Sequence, residues 1–478
     1  MDVHRKDPYR PIRRNVIAVL LVVVLAASAA SFTAYSTPRA EASPAIAEPL
    51  PPADAFYDKP SNLNTLAPGT IIRSRKVTTK TWQHIPMNVD AWQLAYRTSD
   101  ADKRPDITVT TVIVPRGRRA TKLLSYQVAT DATLRTCQPS YGLTHGQPID
   151  LTSEYGPLTF SAAGFEVAFA NLALSEGWAV SLPDHGGSAN TFLTPRQPGF
   201  AVLDGIRAVK NFNQLHLSLD APVGLWGYSG GAIANSWALE MQPTYAPEIR
   251  INGAALGAPE RDLAASVKSA NASLLGGLIP LALASIGKDS ESFRQAINEV
   301  LTSEGRNRVN ETRRHCLAQN IAGNIGFDYN RYLTRDIDEV LRIPAVKAAV
   351  KERGISDAAP TAPVYVYNGV DDEVAPIAGT DKLVSAYCSR GASVTYRRES
   401  FPPILAKQIM STHGVVIITG AGSAFAWLKK RMSNDAPALR GCDIRTVTTT
   451  ATLPSSRQAI VGLLSSNIDA VLGRPLGR

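Results

Sequence analysis

The chain has 478 residues, 44% hydrophobic and 19% charged, enough for one elaborated globular domain or two ordinary ones and unlike a disordered or fibrous chain. Its formal charge is +9, but residues 1–42 hold six Lys/Arg against three Asp/Glu, which leaves +6 for the rest. No Lys/Arg-rich run interleaved with aromatics occurs, so the basic balance supports a weak attraction to anionic surfaces and not nucleic-acid binding.

The first residues include Arg5, Lys6, Arg10, Arg13 and Arg14, and no charge follows from Asn15 to Pro38. A basic head, the aliphatic run over 16–27 and the small-residue site Ala40-Glu41-Ala42 read as a secretory signal (residues 1–42) cleaved after Ala42. The uncharged span is also long enough to cross a bilayer, so an uncut anchor is the competing reading. Either one places the body outside the cytoplasm. Residues 43–60, with Pro44, Pro49, Pro51, Pro52 and Pro60, read as an extended linker, and folded structure is expected from near Phe56.

Strands are expected over 107–114 and 122–128, then a helix over 164–176 and a strand over 178–182 that ends in Pro183-Asp184-His185-Gly186-Gly187. A helix over 200–213, a strand over 223–228, an Ala-rich helix from Gly230 and a strand over 251–256 follow. This alternation implies an α/β fold with a mostly parallel central sheet covered on both faces. Residues 258–355 break the pattern with helical stretches, among them 273–285 (which contains Pro280) and 291–301. An insertion of that size between two strands reads as a helical cap or lid. The sheet resumes over 363–368 and 392–397, so the core is assigned to 61–257 and 356–440. Residues 441–478, a Thr-rich run and a helix over 457–472, have no evident place in it.

Gly227-Tyr228-Ser229-Gly230-Gly231 fits G-x-S-x-G at the junction of the apolar strand and the Ala-rich helix, the setting of a nucleophile elbow. A serine in a strained backbone conformation leaves no room for a β-carbon two residues to either side. Its hydroxyl needs a base, and the base needs a partner that fixes its tautomer, in the chain order Ser, acid, His. Of His4, His84, His145, His185, His216, His315 and His413, only the last two follow Ser229. His315 falls in the expected cap beside Cys316. His413 lies in Ser411-Thr412-His413-Gly414, read as a loop after the last strand and before a helix, where the base is expected. The acid should end the strand over 363–368, where Asp371, Asp372 and Glu373 compete and the pattern does not choose. Asp184 and His185 precede the serine and read as a strand-end turn. No His/Cys/carboxylate cluster has metal-ligand spacing, so neither a catalytic metal nor another cofactor is expected. Four cysteines, Cys137, Cys316, Cys388 and Cys442, allow three pairings, and export favours bonds.

S-Y-Q-V-A-T-D-A-T at 125–133, C-Q-P-S-Y at 137–141, P-D-H-G-G at 183–187, G-Y-S-G-G-A at 227–232, D-E-V-A-P at 372–376 and the His413 segment together resemble the secretory lipase family, α/β-hydrolases of the Candida antarctica lipase A type. The resemblance spans most of residues 60–440. It implies that the acid is the aspartate directly before Glu-x-x-Pro, Asp372. It further implies an oxyanion hole from Gly230 and Asp131, whose N–H groups would each contribute about 3 kcal/mol in the transition state. The implied disulfides are Cys137–Cys316 and Cys388–Cys442, and the C-terminal segment would be a flap over the site or plain packing. The function so implied is a secreted serine ester hydrolase, a triacylglycerol lipase working through an acyl-enzyme on Ser229. Its partners would be an acyl ester or glyceride and a lipid interface. Acyl transfer on the same triad and an inactive hydrolase fold that binds lipid or a partner are the rival readings. Acyl-chain length and oligomeric state are not legible.

Overall fold

The computed structural model describes residues 54–147, 161–400 and 410–477, so the signal or anchor over 1–42 and most of the linker lie outside the described residues. At the start of the described chain, the Asp54 side chain caps a short 3-10 turn, Ala55–Tyr57, whose Phe56 is buried under the Arg75 guanidinium. One sheet of ten strands follows: β1 Ile71–Val77, β2 Val89–Ser99, β3 Pro105–Pro115, β4 Leu123–Gln127, β5 Ala179–Pro183, β6 Val223–Tyr228, β7 Ile251–Gly257, β8 Val364–Gly369, β9 Val394–Glu399 and β10 Cys442–Val447. Across the sheet the order is β1-β2-β3-β5-β4-β6-β7-β8-β9-β10. The pairs from β1 to β5 are antiparallel and every later pair is parallel.

The middle strands are buried from end to end, VGLWGY in β6 and VYVYNG in β8, because helices cover both faces and leave no side of these strands to water. The alternation of a strand sorts their side chains into two cores. Trp226, Tyr228, Tyr365 and Tyr367 face α1 (Ala162–Ser175) and α12 (Thr412–Arg431). Val223, Leu225, Val364 and Val366 face α2 (Gln197–Lys210), α3 (Gly230–Tyr245) and α11 (Ile377–Ser389). A last helix, α13 (Pro454–Val471), lies on α12 and α1.

Between β7 and β8 the chain forms seven helices, α4 to α10: Leu263–Ala270, Leu278–Asp289, Glu291–Val300, Ser303–Glu311, Leu317–Ala322, Ile337–Arg342 and Pro344–Arg353. They enclose a core of their own built on Phe293, Ile297, Val300 and Leu301. Pro280 falls in the first turn of α5, where its missing N–H would have had no helical partner in any case. Cys137 is bonded to Cys316 and Cys388 to Cys442, the pairs that the resemblance implies.

Three strands of this sheet were not anticipated. β1 and β2 carry Arg73, Arg75, Gln93 and Arg97, polar residues that find partners inside the fold: Arg75 Nε donates to Gln93 at 2.8 Å and Gln93 donates to the Ser140 carbonyl. β10 is the polar, largely exposed edge of the sheet, and an edge strand needs no apolar run. It also means that His413 does not follow the last strand.

α12 rests on β8 so closely that a β-carbon on Gly420 would stand 2.2 Å from Cδ2 of buried Tyr367. Gly420→Ala should therefore destabilise the fold by about 1–3 kcal/mol, measured by denaturant unfolding, and an unchanged midpoint would contradict this packing.

Candidate active site

β6 ends at Tyr228, and Ser229 turns the chain into α3 with φ +50° and ψ −120°. That conformation costs an L-residue roughly 1–3 kcal/mol. It is held from both sides: Ser229 N–H donates to the Gly257 carbonyl at 2.8 Å, and Ile233 N–H donates to the Ser229 carbonyl at 3.0 Å. The glycines are required by contact. A β-carbon on Gly231 would fall 1.9 Å from the Gln127 carbonyl oxygen, and one on Gly227 would fall 2.7 Å from the Gly231 carbonyl carbon.

His413 is not in a loop. It is the second residue of α12, whose first turn is capped by Ser411, the hydroxyl oxygen accepting from Gly414 N–H at 2.9 Å. The buried ring places Nδ1 2.9 Å from one Asp372 oxygen and 3.1 Å from the other. Asp372, on the loop after β8, is itself fixed by the N–H groups of Val374 and Ala375 at 2.9 and 2.7 Å. Asp371 is exposed, so burial and bonding separate the two aspartates that the sequence left in competition. Tyr228, the residue before Ser229, sets its ring 5.0 Å from that of His413, tilted by 55°, and donates its hydroxyl to the His413 carbonyl at 2.7 Å. The serine turn and the Asp372–His413 pair thus share one end of the sheet.

Glu373, the third competitor, serves the same helix. It accepts from the Ser411 hydroxyl and, at 3.3 Å, from His413 N–H, so a carboxylate sits on the otherwise unpaired amides of the α12 N-terminus. Burial and the neighbouring Asp372 push the Glu373 carboxyl up, and the Ser411 bond pulls it back. For His413, burial favours the neutral ring, but the Asp372 charge and hydrogen bond, followed by Glu373 and Asp131, outweigh it and leave the pKa raised.

Asp131 lies on the segment after β4, buried, with φ +32° and its Oδ1 so close over Gly230 that a β-carbon there would meet it at 1.9 Å. Burial pushes its carboxyl up to about 6. Two groups that sequence reasoning did not assign steady this segment. The His185 ring, held neutral by burial, donates from Nε2 to the Val128 carbonyl at 2.7 Å. Glu166 of α1 accepts from Ala129 N–H at 3.0 Å and from the Tyr126 hydroxyl, and burial raises its pKa to about 8. A lone glutamate on an Ala-rich helix was the only signal for it. His315 stands apart in the insertion, 3.9 Å from Glu311. Among the described residues no three His, Cys, Asp or Glu side chains group as metal ligands would.

The family profile described as Secretory lipase matches residues 154–441. The chain belongs to the secretory lipase family. Its relatives include a probable inactive lipase of Mycobacterium tuberculosis, 34% identical over 90% of this chain and 92% of that protein. Lipase A of Arthroderma benhamiae is 30% identical over 90% of each. The solved structure of Candida antarctica lipase A in its closed state superposes with a TM-score of 0.71 at 25% identity, over 91% of this chain and 99% of that one. A rice cell wall degrading esterase of Xanthomonas oryzae, 14% identical with a TM-score of 0.58, shares the α/β-hydrolase fold of the secretory lipases.

The His413 ring should titrate above the ordinary histidine value of about 6.5. Glu373→Gln removes one of the charges that favour the imidazolium and should lower that pKa. Nitrogen-15 NMR of the ring reads both effects, and an unchanged or higher value in the variant would contradict the arrangement.

Proposed function

We propose that this secretory lipase is an active serine carboxylic ester hydrolase, a triacylglycerol lipase exported from the cell. The observation that carries the reading is the buried Asp372–His413 pair beside the strained Ser229 turn, with Tyr228 joining the two. Ser229 attacks the ester carbonyl while His413, oriented by Asp372, takes the hydroxyl proton. The proton then passes to the departing alcohol, and water drawn in by the same base frees the acyl chain. Charge on the carbonyl oxygen is met by the Gly230 and Asp131 backbone N–H groups, at the N-terminus of α3, where the helix dipole favours it. Two disulfides and the basic, aliphatic N-terminus support export, with cleavage after Ala42 releasing the chain and an uncut segment holding it at the membrane. The insertion over 258–355 then serves as a cap over the acyl site.

A second reading follows from the relative named as a probable inactive lipase: a hydrolase fold kept for binding lipid or a partner. Ser229 on its strained turn, with His413 hydrogen-bonded to Asp372 at the same end of the sheet, favours activity. Transfer of the acyl group to another alcohol would use the same residues, and product analysis with a competing alcohol separates it from hydrolysis.

Ser229→Ala should abolish both hydrolysis of glyceride and p-nitrophenyl esters and labelling by a fluorophosphonate; a wild-type chain that takes no label would favour the binding reading. Asp372→Asn should lower kcat by about 10⁴-fold, while Asp371→Asn keeps near-normal turnover; the reverse pattern would move the acid to Asp371. Since only the neutral ring accepts a proton, turnover should fall as the pH drops through the raised His413 pKa, a limb that a pH–rate profile locates.

A further inference from the structure

α13 is apolar on two sides but covered on one. Its inner side packs Ser456, Ala459, Ser466 and Ala470 into buried positions on α12 and α1, with Leu463 packed against the same core. Asn467 ties it down by donating to the Ala168 carbonyl at 3.0 Å. The opposite side presents Val461, Leu464, Ile468, Val471 and Leu472, between 42% and 66% exposed. Steps of three and four residues place them in one stripe. Nine large hydrophobic side chains are exposed among the described residues, and these are five of them, so the stripe is a concentration and not scatter. Helix propensity does not call for it, since polar residues would form the same outer face as well.

We propose that this stripe seats the protein on an anionic lipid surface, with α13 lying in the plane of the headgroups. Charge favours that occupant. Arg457 and Arg474 are exposed at the two ends of the stripe, and the one carboxylate of the helix, Asp469, is paired with Arg474 at 3.3 Å. None of the described helices is long and apolar enough to cross a membrane, so α13 rests on the surface. The proposal deepens the lipase reading by naming where a lipid aggregate meets the chain, yet seating needs no turnover and is tested apart from it.

All four cysteines are bonded, so a single introduced cysteine gives a unique label site. The full chain carrying Leu464→Cys with an environment-sensitive NBD label is titrated with vesicles of phosphatidylcholine and phosphatidylglycerol, beside Leu219→Cys, an exposed position in the loop before β6. The label at 464 should shift to the blue and brighten several-fold, the label at 219 should not, and pure phosphatidylcholine should bind at least about fivefold more weakly. Val461→Ser with Ile468→Ser, both exposed, should abolish the response at 464 and leave the thermal midpoint unchanged. The proposal is overturned if the chain floats with vesicles while position 464 stays dark, which assigns attachment to the N-terminal segment. It is equally overturned if position 464 responds to protein concentration without lipid, which assigns the stripe to a second copy, or if both vesicle types bind alike.

Discussion

A serine held at φ +50° stays there only if the chain on either side has nowhere to relax to. β6 enters the turn as a fully buried strand bonded to β4 and β7, and α3 leaves it packed on the face opposite Tyr228. The bond from Ser229 N–H to Gly257 fixes the peptide between them. With both flanks immobile, the strain of roughly 1–3 kcal/mol is carried by the whole sheet and not by the turn. The same backbone path sends Tyr228 towards His413 and brings Gly230 against the Asp131 side chain. One conformation therefore sets three directions, and each of the other groups is placed relative to it.

The second constraint is electrostatic. Asp372 and Glu373 are adjacent, buried carboxylates, an arrangement that water would ordinarily have to support. Each is instead given its own donors: loop amides and the imidazole for Asp372, the Ser411 hydroxyl and the His413 amide for Glu373. The α12 N-terminus supplies part of the compensation, because its first amides have no helical acceptors. His413 is thus gripped at its ring by one carboxylate and at its backbone by the next, and it cannot turn without disturbing both.

What was legible beforehand follows the same physics. β6 could be read residue for residue because a buried parallel strand is a continuous apolar run, and the G-x-S-x-G turn marks its end. His413 emerged by elimination, but its helix was misplaced: Thr412, Gly414 and Val415 are poor helix formers, and α12 begins there because Ser411 and Glu373 satisfy its amides. Pattern alone could not tell Asp371 from Asp372, and only the family resemblance pointed to Asp372, since which of them points inward depends on how β8 ends and not on composition. β1, β2 and β10 carry polar side chains that only the folded neighbours explain. Glu166 was invisible for the same reason.

The insertion is joined to the site at its base. Cys316 is bonded to Cys137, six residues beyond Asp131 in the chain, and Lys288 donates to the Thr133 carbonyl at 3.0 Å. Ser285 both donates to and accepts from the backbone of Phe192, on the segment after β5. A hinge that swung all seven helices would have to part these contacts, two of which are buried and one covalent. The base of the insertion therefore holds the Asp131 segment in place.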